Sequence, residues 1–166
     1  MLDTNIYGQL AVDVEVDALR EKYLHLKSVC FYGSSIVRKE LRATAKSKKN
    51  VSGSNLRIFM LTLYDELVKN HNLSLDKNVE EVALKYHNAY RQMGGFASRE
   101  EMLNDFTIIA LASIHDLEVV ASNDNASMFN NFAIAAYKLV NDTLNLRMPK
   151  FINYDDFKKL LLRGDV

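Results

Sequence analysis

Two short apolar runs, each followed by polar turn-formers and then by a long segment of helical period, constrain this chain most. "SVCFY" (28–32) leads into Gly33-Ser34-Ser35, and "LEVVAS" (117–122) leads into Asn123-Asp124-Asn125. Runs rich in β-branched and aromatic residues read as strands, and the polar residues behind them can accept the free N–H groups of a helix start. Strand, tight turn, helix is thus the repeated unit, which predicts an α/β sandwich with a mostly parallel sheet. "KFIN" (150–153), after Pro149, adds one more short strand before a last helix from about Asp155 to Leu162.

Helical periodicity fills 13–27, 35–44, 54–70, 77–93, 99–115 and 127–144. Within 77–93, Val79, Val82, Tyr86, Tyr90 and Met93 fall on one stripe, which predicts a buried face. Ser98 and Glu101 have capping-box spacing ahead of the apolar run from Met102, and Gly94-Gly95 punctuates the two helices. The stretch "SKKNVSGSN" (47–55) reads as a mobile loop.

A chain of 166 residues, 48% hydrophobic and 25% charged, suffices for one domain with a sizeable core, so a single domain over 1–166 is expected. Twenty-one basic and twenty-one acidic residues cancel, so any attraction to nucleic acid must be local. Cys30 is the only cysteine, which excludes an intrachain disulfide and a multi-cysteine zinc site. No segment reaches membrane-spanning length and no signal peptide opens the chain; the expected address is the cytoplasm, with no membrane partner.

Acids on apolar stripes carry more information than acids on wet faces, because burying a carboxylate costs several kcal/mol (roughly) unless a partner or metal compensates. Glu40 follows Ile36 by four residues and Val37 by three, on the side those residues turn toward the core. Asp105 lies between Met102 and Ile109 at i, i+3 and i+7. Asp3 and Asp124 sit just past strand ends, beside the crevice where open parallel sheets bind ligands. Four oxygen donors without histidine or thiol suit a hard cation such as Mg²⁺ or Mn²⁺. Each acid also fits a plainer role: Asp3 and Asp124 as turn or N-cap residues, Glu40 and Asp105 as partners of Arg38, Arg42 or Lys85.

The opening "DTN", the helical "ELR", the "ND" ahead of "FTIIALASIHDLEVVASND" and the final "SND" resemble, in order, the motifs of the PIN domain. That resemblance implies a three-layer α/β/α sandwich with a short, mostly parallel central sheet and extra helices. It implies a metal-dependent nuclease, with the VapC ribonuclease toxins among the family's single-domain members. Carried over residue by residue, it makes Asp3, Glu40 and Asp105 metal-binding acids and Asp124 the fourth, with Asn5 and Ser122 orienting them. Asn104 matches the residue before the third acid. Only Met1 and Leu2 precede Asp3, so either the first strand is very short or the reading frame begins late. The resemblance also implies an antitoxin protein as partner and a homodimer.

RNA is the expected substrate, single-stranded or looped so that its bases can splay. Arg38, Lys39, Arg42, Lys46, Lys48 and Lys49 form the densest basic run and flank Glu40. Of these Arg38, Arg42, Lys46, Lys48 and Lys49 are candidate phosphate contacts, although such a run also serves as an ordinary solvated face. Two functions compete: an Mg²⁺- or Mn²⁺-dependent endoribonuclease, and a PIN-like scaffold that binds RNA or protein without turnover. A nucleophile elbow at Gly33-Ser34-Ser35 lacks its G-x-S-x-G frame, and a helix cap fits those residues better. His25, His71, His87 and His115 lack ligand spacing.

Overall fold

A computed structural model describes residues 1–25, 29–50 and 52–163. In chain order the elements are α1 (Thr4–Val12), α2 (Val16–His25), β1 (Gly33–Ser34), α3 (Ser35–Ala43), α4 (Leu56–Val68), β2 (Asn72–Leu73), α5 (Lys77–Gln92), α6 (Arg99–Ile114), β3 (Val119–Ala121), α7 (Asn131–Leu144), β4 (Lys150–Ile152) and α8 (Tyr154–Arg163). The fold is α/β, with most of the chain in helices and short parallel strands. Two compact units divide it: Met1–Leu73 with Ala121–Asn123 and Ile152–Val166, and Ser74–Val120 with Asp124–Phe151. Among the described residues no helix is long and apolar enough to cross a membrane.

In the first unit, α4 packs against α1 and α3, and α8 against α2. Ile6, Tyr7 and Leu10 of α1 meet a core that includes Val37, Leu41, Leu63 and Tyr64, all fully buried. β1 and β2 pair in parallel, Gly33 opposite Asn72 and Ser34 opposite Leu73. The pairing needs a glycine: a Cβ at Gly33 would lie 2.3 Å from the Tyr64 hydroxyl, which sits 3.0 Å from the Ser34 carbonyl. The strand expected at 28–32 is therefore displaced. Ser28 lies outside the described residues, 29–32 join no ladder, and pairing begins only where the side chain disappears. Ser34 instead caps α3, its Oγ accepting from Val37 N at 3.4 Å.

The first strand shrinks to one residue. Leu2 makes a single parallel bridge to Ala121, with Asp3 N donating to the Ala121 carbonyl at 2.9 Å and Ala121 N to the Met1 carbonyl at 3.0 Å. The chain then turns straight into α1, for which no helix was expected. The basic loop is also more structured than its composition suggested: Lys49 bridges Asn55, and buried Asn50 accepts from Ser52 Oγ and Ser54 N at 2.9 and 2.8 Å. Val51 lies outside the described residues.

In the second unit α5 packs on α6 and α7. Its stripe of Val79, Val82, Tyr86 and Tyr90 is buried as expected, whereas Met93 is exposed because the helix ends at Gln92. Tyr86, Phe106 and Tyr137 meet edge-on or tilted, and Tyr86 Oη lies 2.5 Å from Asn141 Oδ1 and 3.2 Å from Ser113 Oγ. Asn141 Nδ2 donates to Ser113 Oγ at 3.0 Å, so these three buried polar groups satisfy one another. Burial pushes the Tyr86 phenol up to about 12 against the pull of those hydrogen bonds. Of the β3–β4 pairing, Lys150 N donates to the Glu118 carbonyl at 2.8 Å in this unit, while Ser122 N donates to the Ile152 carbonyl at 3.0 Å within the first.

Candidate functional site

Asp3 is the N-cap of α1 and is 7% exposed. One carboxylate oxygen accepts from Thr4 N at 2.6 Å; the other accepts from Asn5 Nδ2 at 2.5 Å and Ser122 Oγ at 2.7 Å. Three donors on one carboxylate fix its rotation and offset the cost of burying it. Asn5 in turn accepts from Asn123 N at 3.0 Å, and Asn123 Oδ1 accepts from Tyr154 N at 2.7 Å, so the cluster is tied to the first turn of α8. All three residues of "DTN" are used. Thr4, which sequence reasoning passed over, also donates its hydroxyl to Glu40 Oε2 at 2.6 Å. Glu40 is half-buried on α3, one residue before fully buried Leu41.

In the second unit Asp105 projects from the second turn of α6 and Asp124 follows β3; both are half-buried. Asp124 Oδ1 accepts from Ala126 N at 3.0 Å and Ser127 N at 2.8 Å, the turn role open to it from sequence. The Ser127 hydroxyl lies 2.6 Å from Asp105 Oδ2 and also contacts Asp124 Oδ2. A hydroxyl has one proton, so it cannot donate to both carboxylates at once. Two carboxylates gathered on one hydroxyl make a like-charge arrangement that a divalent cation relieves. Ser127 was the other residue missed; its only sequence signal is its place three residues beyond Asp124. Burial, then the charge of Asp105, Tyr86 and Asp124, holds the Tyr137 phenol well above its ordinary range, and its hydroxyl donates to the Met128 carbonyl at 3.1 Å.

Among the described residues no group of three or more histidine, cysteine, aspartate or glutamate side chains is drawn together as a ready-made metal cage. The donor chemistry nevertheless suits a hard cation, since carboxylates and hydroxyls line both acidic clusters and the rest of an octahedral shell is commonly water. Asn104 is exposed beside Asp105. Of the basic run, Arg38 is engaged by Asp65 and lies over the Tyr64 ring at 5.5 Å, while Lys39, Arg42, Lys46, Lys48 and Lys49 are exposed.

Acids anchored at strand ends and helix starts by small polar side chains define an α/β protein with acidic sites, and comparison with known families narrows that class. The PIN domain model matches residues 1–135, which include all four acids, and the chain belongs to the PIN-domain family. PIN domains are generally nucleases that act on RNA and use divalent metal ions. Searches of curated proteins and of solved structures give no match.

Proposed function

We propose that this chain is a metal-dependent endoribonuclease that hydrolyses phosphodiester bonds of single-stranded or looped RNA, with 1–166 acting as one nuclease domain. The observation that carries the reading is the setting of Asp3: a buried carboxylate on three donors, two of them side chains from the "DTN" and "SND" motifs. A purely structural N-cap needs only the backbone donor. Asp3, Glu40, Asp105 and Asp124 supply the carboxylates for Mg²⁺ or Mn²⁺. When bound, such an ion lowers the pKa of a water and neutralises charge growing on the phosphate.

The protein's own groups hold the acids in place. Asn5 and Ser122 orient Asp3, Thr4 orients Glu40, and Ser127 joins Asp105 to Asp124. Water attack leaves a 5′-phosphate and a 3′-hydroxyl, so the ribose 2′-hydroxyl takes no part in the chemistry. Arg42, Lys46, Lys48 and Lys49 are exposed for phosphate contacts; Arg38, already paired with Asp65, contributes less. A VapBC-type toxin, dimeric and restrained by an antitoxin in the cytoplasm, is the biological role this reading favours. The test is cleavage of end-labelled single-stranded RNA in Mg²⁺, Mn²⁺ or EDTA by wild type and folded Asp105→Asn. Metal-dependent cutting lost in the variant supports the enzyme. No cutting across several RNAs leaves the scaffold that binds RNA or protein.

A further inference from the structure

The Gly94-Gly95 pair between α5 and α6 builds something that the acids do not explain. Gly94 has φ +97°, a left-handed conformation that side chains rarely adopt, and its Cα faces the Phe132 ring, whose Cε1 would lie 3.6 Å from a Cβ there. Gly95 is pressed onto Tyr90, where a Cβ would fall 2.2 Å from the ring. Gly95 N donates to the Tyr90 carbonyl at 2.9 Å and Ala97 N to the Tyr90 hydroxyl at 3.3 Å. The next residue, Ser98, enters the capping box with Glu101. Both flanks of Phe96 are therefore pinned, yet its side chain is 88% exposed. A loose loop would let the ring fold back onto apolar surface; this one holds it in water.

Phe132, 45% exposed on the first turn of α7, stands against the same loop. The α7 cap residue Asn130 donates to the Ser127 carbonyl at 2.8 Å, and Ser127 holds Asp105 and Asp124. Along α6, the six steps from Arg99 to Asp105 rise about 9 Å, the length of roughly two to three stacked nucleotides at about 3.4 Å each. Exposed Arg91 and Arg99 flank the loop and suit backbone phosphates.

We propose that Phe96, with Phe132 beside it, is a base-stacking platform that binds single-stranded RNA a few nucleotides from the phosphate cut at Asp105 and Asp124. The proposal rests on the nuclease reading and adds to it the residues that grip and register the substrate. Aromatic faces flanked by arginines, next to carboxylates, match nucleobases joined by phosphates better than they match an aliphatic partner helix.

The experiment measures binding of fluorescein-labelled single-stranded RNA in EDTA by fluorescence anisotropy, and KM, kcat and cleavage position in Mg²⁺. It compares wild type, Phe96→Ala, Phe96→Leu, Phe96→Trp and Phe132→Ala, with molecular mass from sedimentation. Phe96→Ala and Phe96→Leu are expected to weaken binding and raise KM roughly ten-fold with kcat kept, Phe96→Trp to restore both, and Phe132→Ala to cost less. Wild-type affinity and KM in Phe96→Ala overturn the platform and leave the nuclease standing. Equal rescue by Leu and Trp overturns stacking as the interaction. Loss of a dimer in Phe96→Ala with unchanged RNA affinity assigns the ring to a contact between copies and overturns it as well. Wild-type protein that neither binds nor cuts RNA removes the nuclease reading itself, and the platform with it.

Discussion

The two acidic clusters are built on opposite principles. Asp3 is buried but surrounded by donors, so its charge is accommodated within the protein. Asp105 and Asp124 are more exposed and share the Ser127 hydroxyl, so two acidic groups are brought close together. A fourth carboxylate, Asp13, shows what the protein does when it supplies a positive charge itself. Lys158 Nζ lies 2.9 Å from Asp13 Oδ2 and 2.5 Å from Glu15 Oε2, and the Tyr154 hydroxyl adds a bond of 2.7 Å to Asp13. The difference teaches that a buried acid is not in itself a metal-site signal. The partners decide: donors make an oriented carboxylate, a lysine makes a brace, and a second acid on a shared hydroxyl makes the acidic pair to which the proposed function assigns a cation.

The sharpest way to break this contrast is Asp105→Asn. RNA cleavage should fall by more than the roughly 10–100-fold that losing an outer partner costs, while the metal-free protein keeps or gains thermal stability because one of two neighbouring acidic charges is removed. Stabilisation of wild type by Mg²⁺, which reaches about 2.7 kcal/mol at one hundred times Kd, should shrink in the variant and is read as a Tm difference with and without EDTA. Ser122→Ala comes next: it removes one donor from Asp3, and activity should drop roughly 10–100-fold in a folded protein. Asp3→Asn turns amide hydrogens toward existing donors and should cost about 1–3 kcal/mol in urea unfolding already in the metal-free protein. Equal metal-free stability for Asp3→Asn and Asp105→Asn would erase the distinction between the two clusters.

The smallest effect concerns the brace. Burial raises the Asp13 pKa, but the Glu15 N–H, Lys158 and Tyr154 outweigh it and the group titrates below the usual carboxylate range. Lys158 is shifted upward, first by its bond to Glu15 and then by Asp13. The depressed acid contributes stability above its unfolded value of about 3.9, lost as pH falls through the folded value; the raised lysine contributes below about 10.4, lost as pH climbs through its folded value. Lys158→Met should therefore destabilise most between those limits and converge on wild type in acid. A constant gap from pH 7 down to pH 2 would show that packing, not charge, holds α8 there.

Most helices were legible because their apolar stripes are regular: the expected 77–93 and 99–115 differ from α5 and α6 by a residue at the C-terminal end. The Ser98–Glu101 box was readable because capping is local chemistry. α1 was not, since Gly8 interrupts it and Ile6, Tyr7, Leu10 and Ala11 sit in a segment too short to display a period. Helix 13–27 begins instead at Val16, with 26 and 27 outside the described residues, and 127–144 begins at Asn131 because 125–129 turn around Asp124. β2, two residues in a polar stretch, has no sequence signature, since its pairing depends on where Gly33 can approach Tyr64. Of the sites, the acids stood out by type and position. Thr4 and Ser127 did not, because a small hydroxyl acquires meaning only from what folding brings to it.

Tyr86, Ser113 and Asn141 carry a consequence for inheritance. Each comes from a different one of the three helices α5, α6 and α7, and each hydrogen-bonds the other two in a buried interior. Losing one strands its partners, whereas replacing all three by apolar groups of matching shape is close to neutral. Lineages descending from this sequence should thus keep positions 86, 113 and 141 as a set or exchange them as a set, and hybrid chains that mix the two versions should fold poorly although every residue in them is tolerated somewhere.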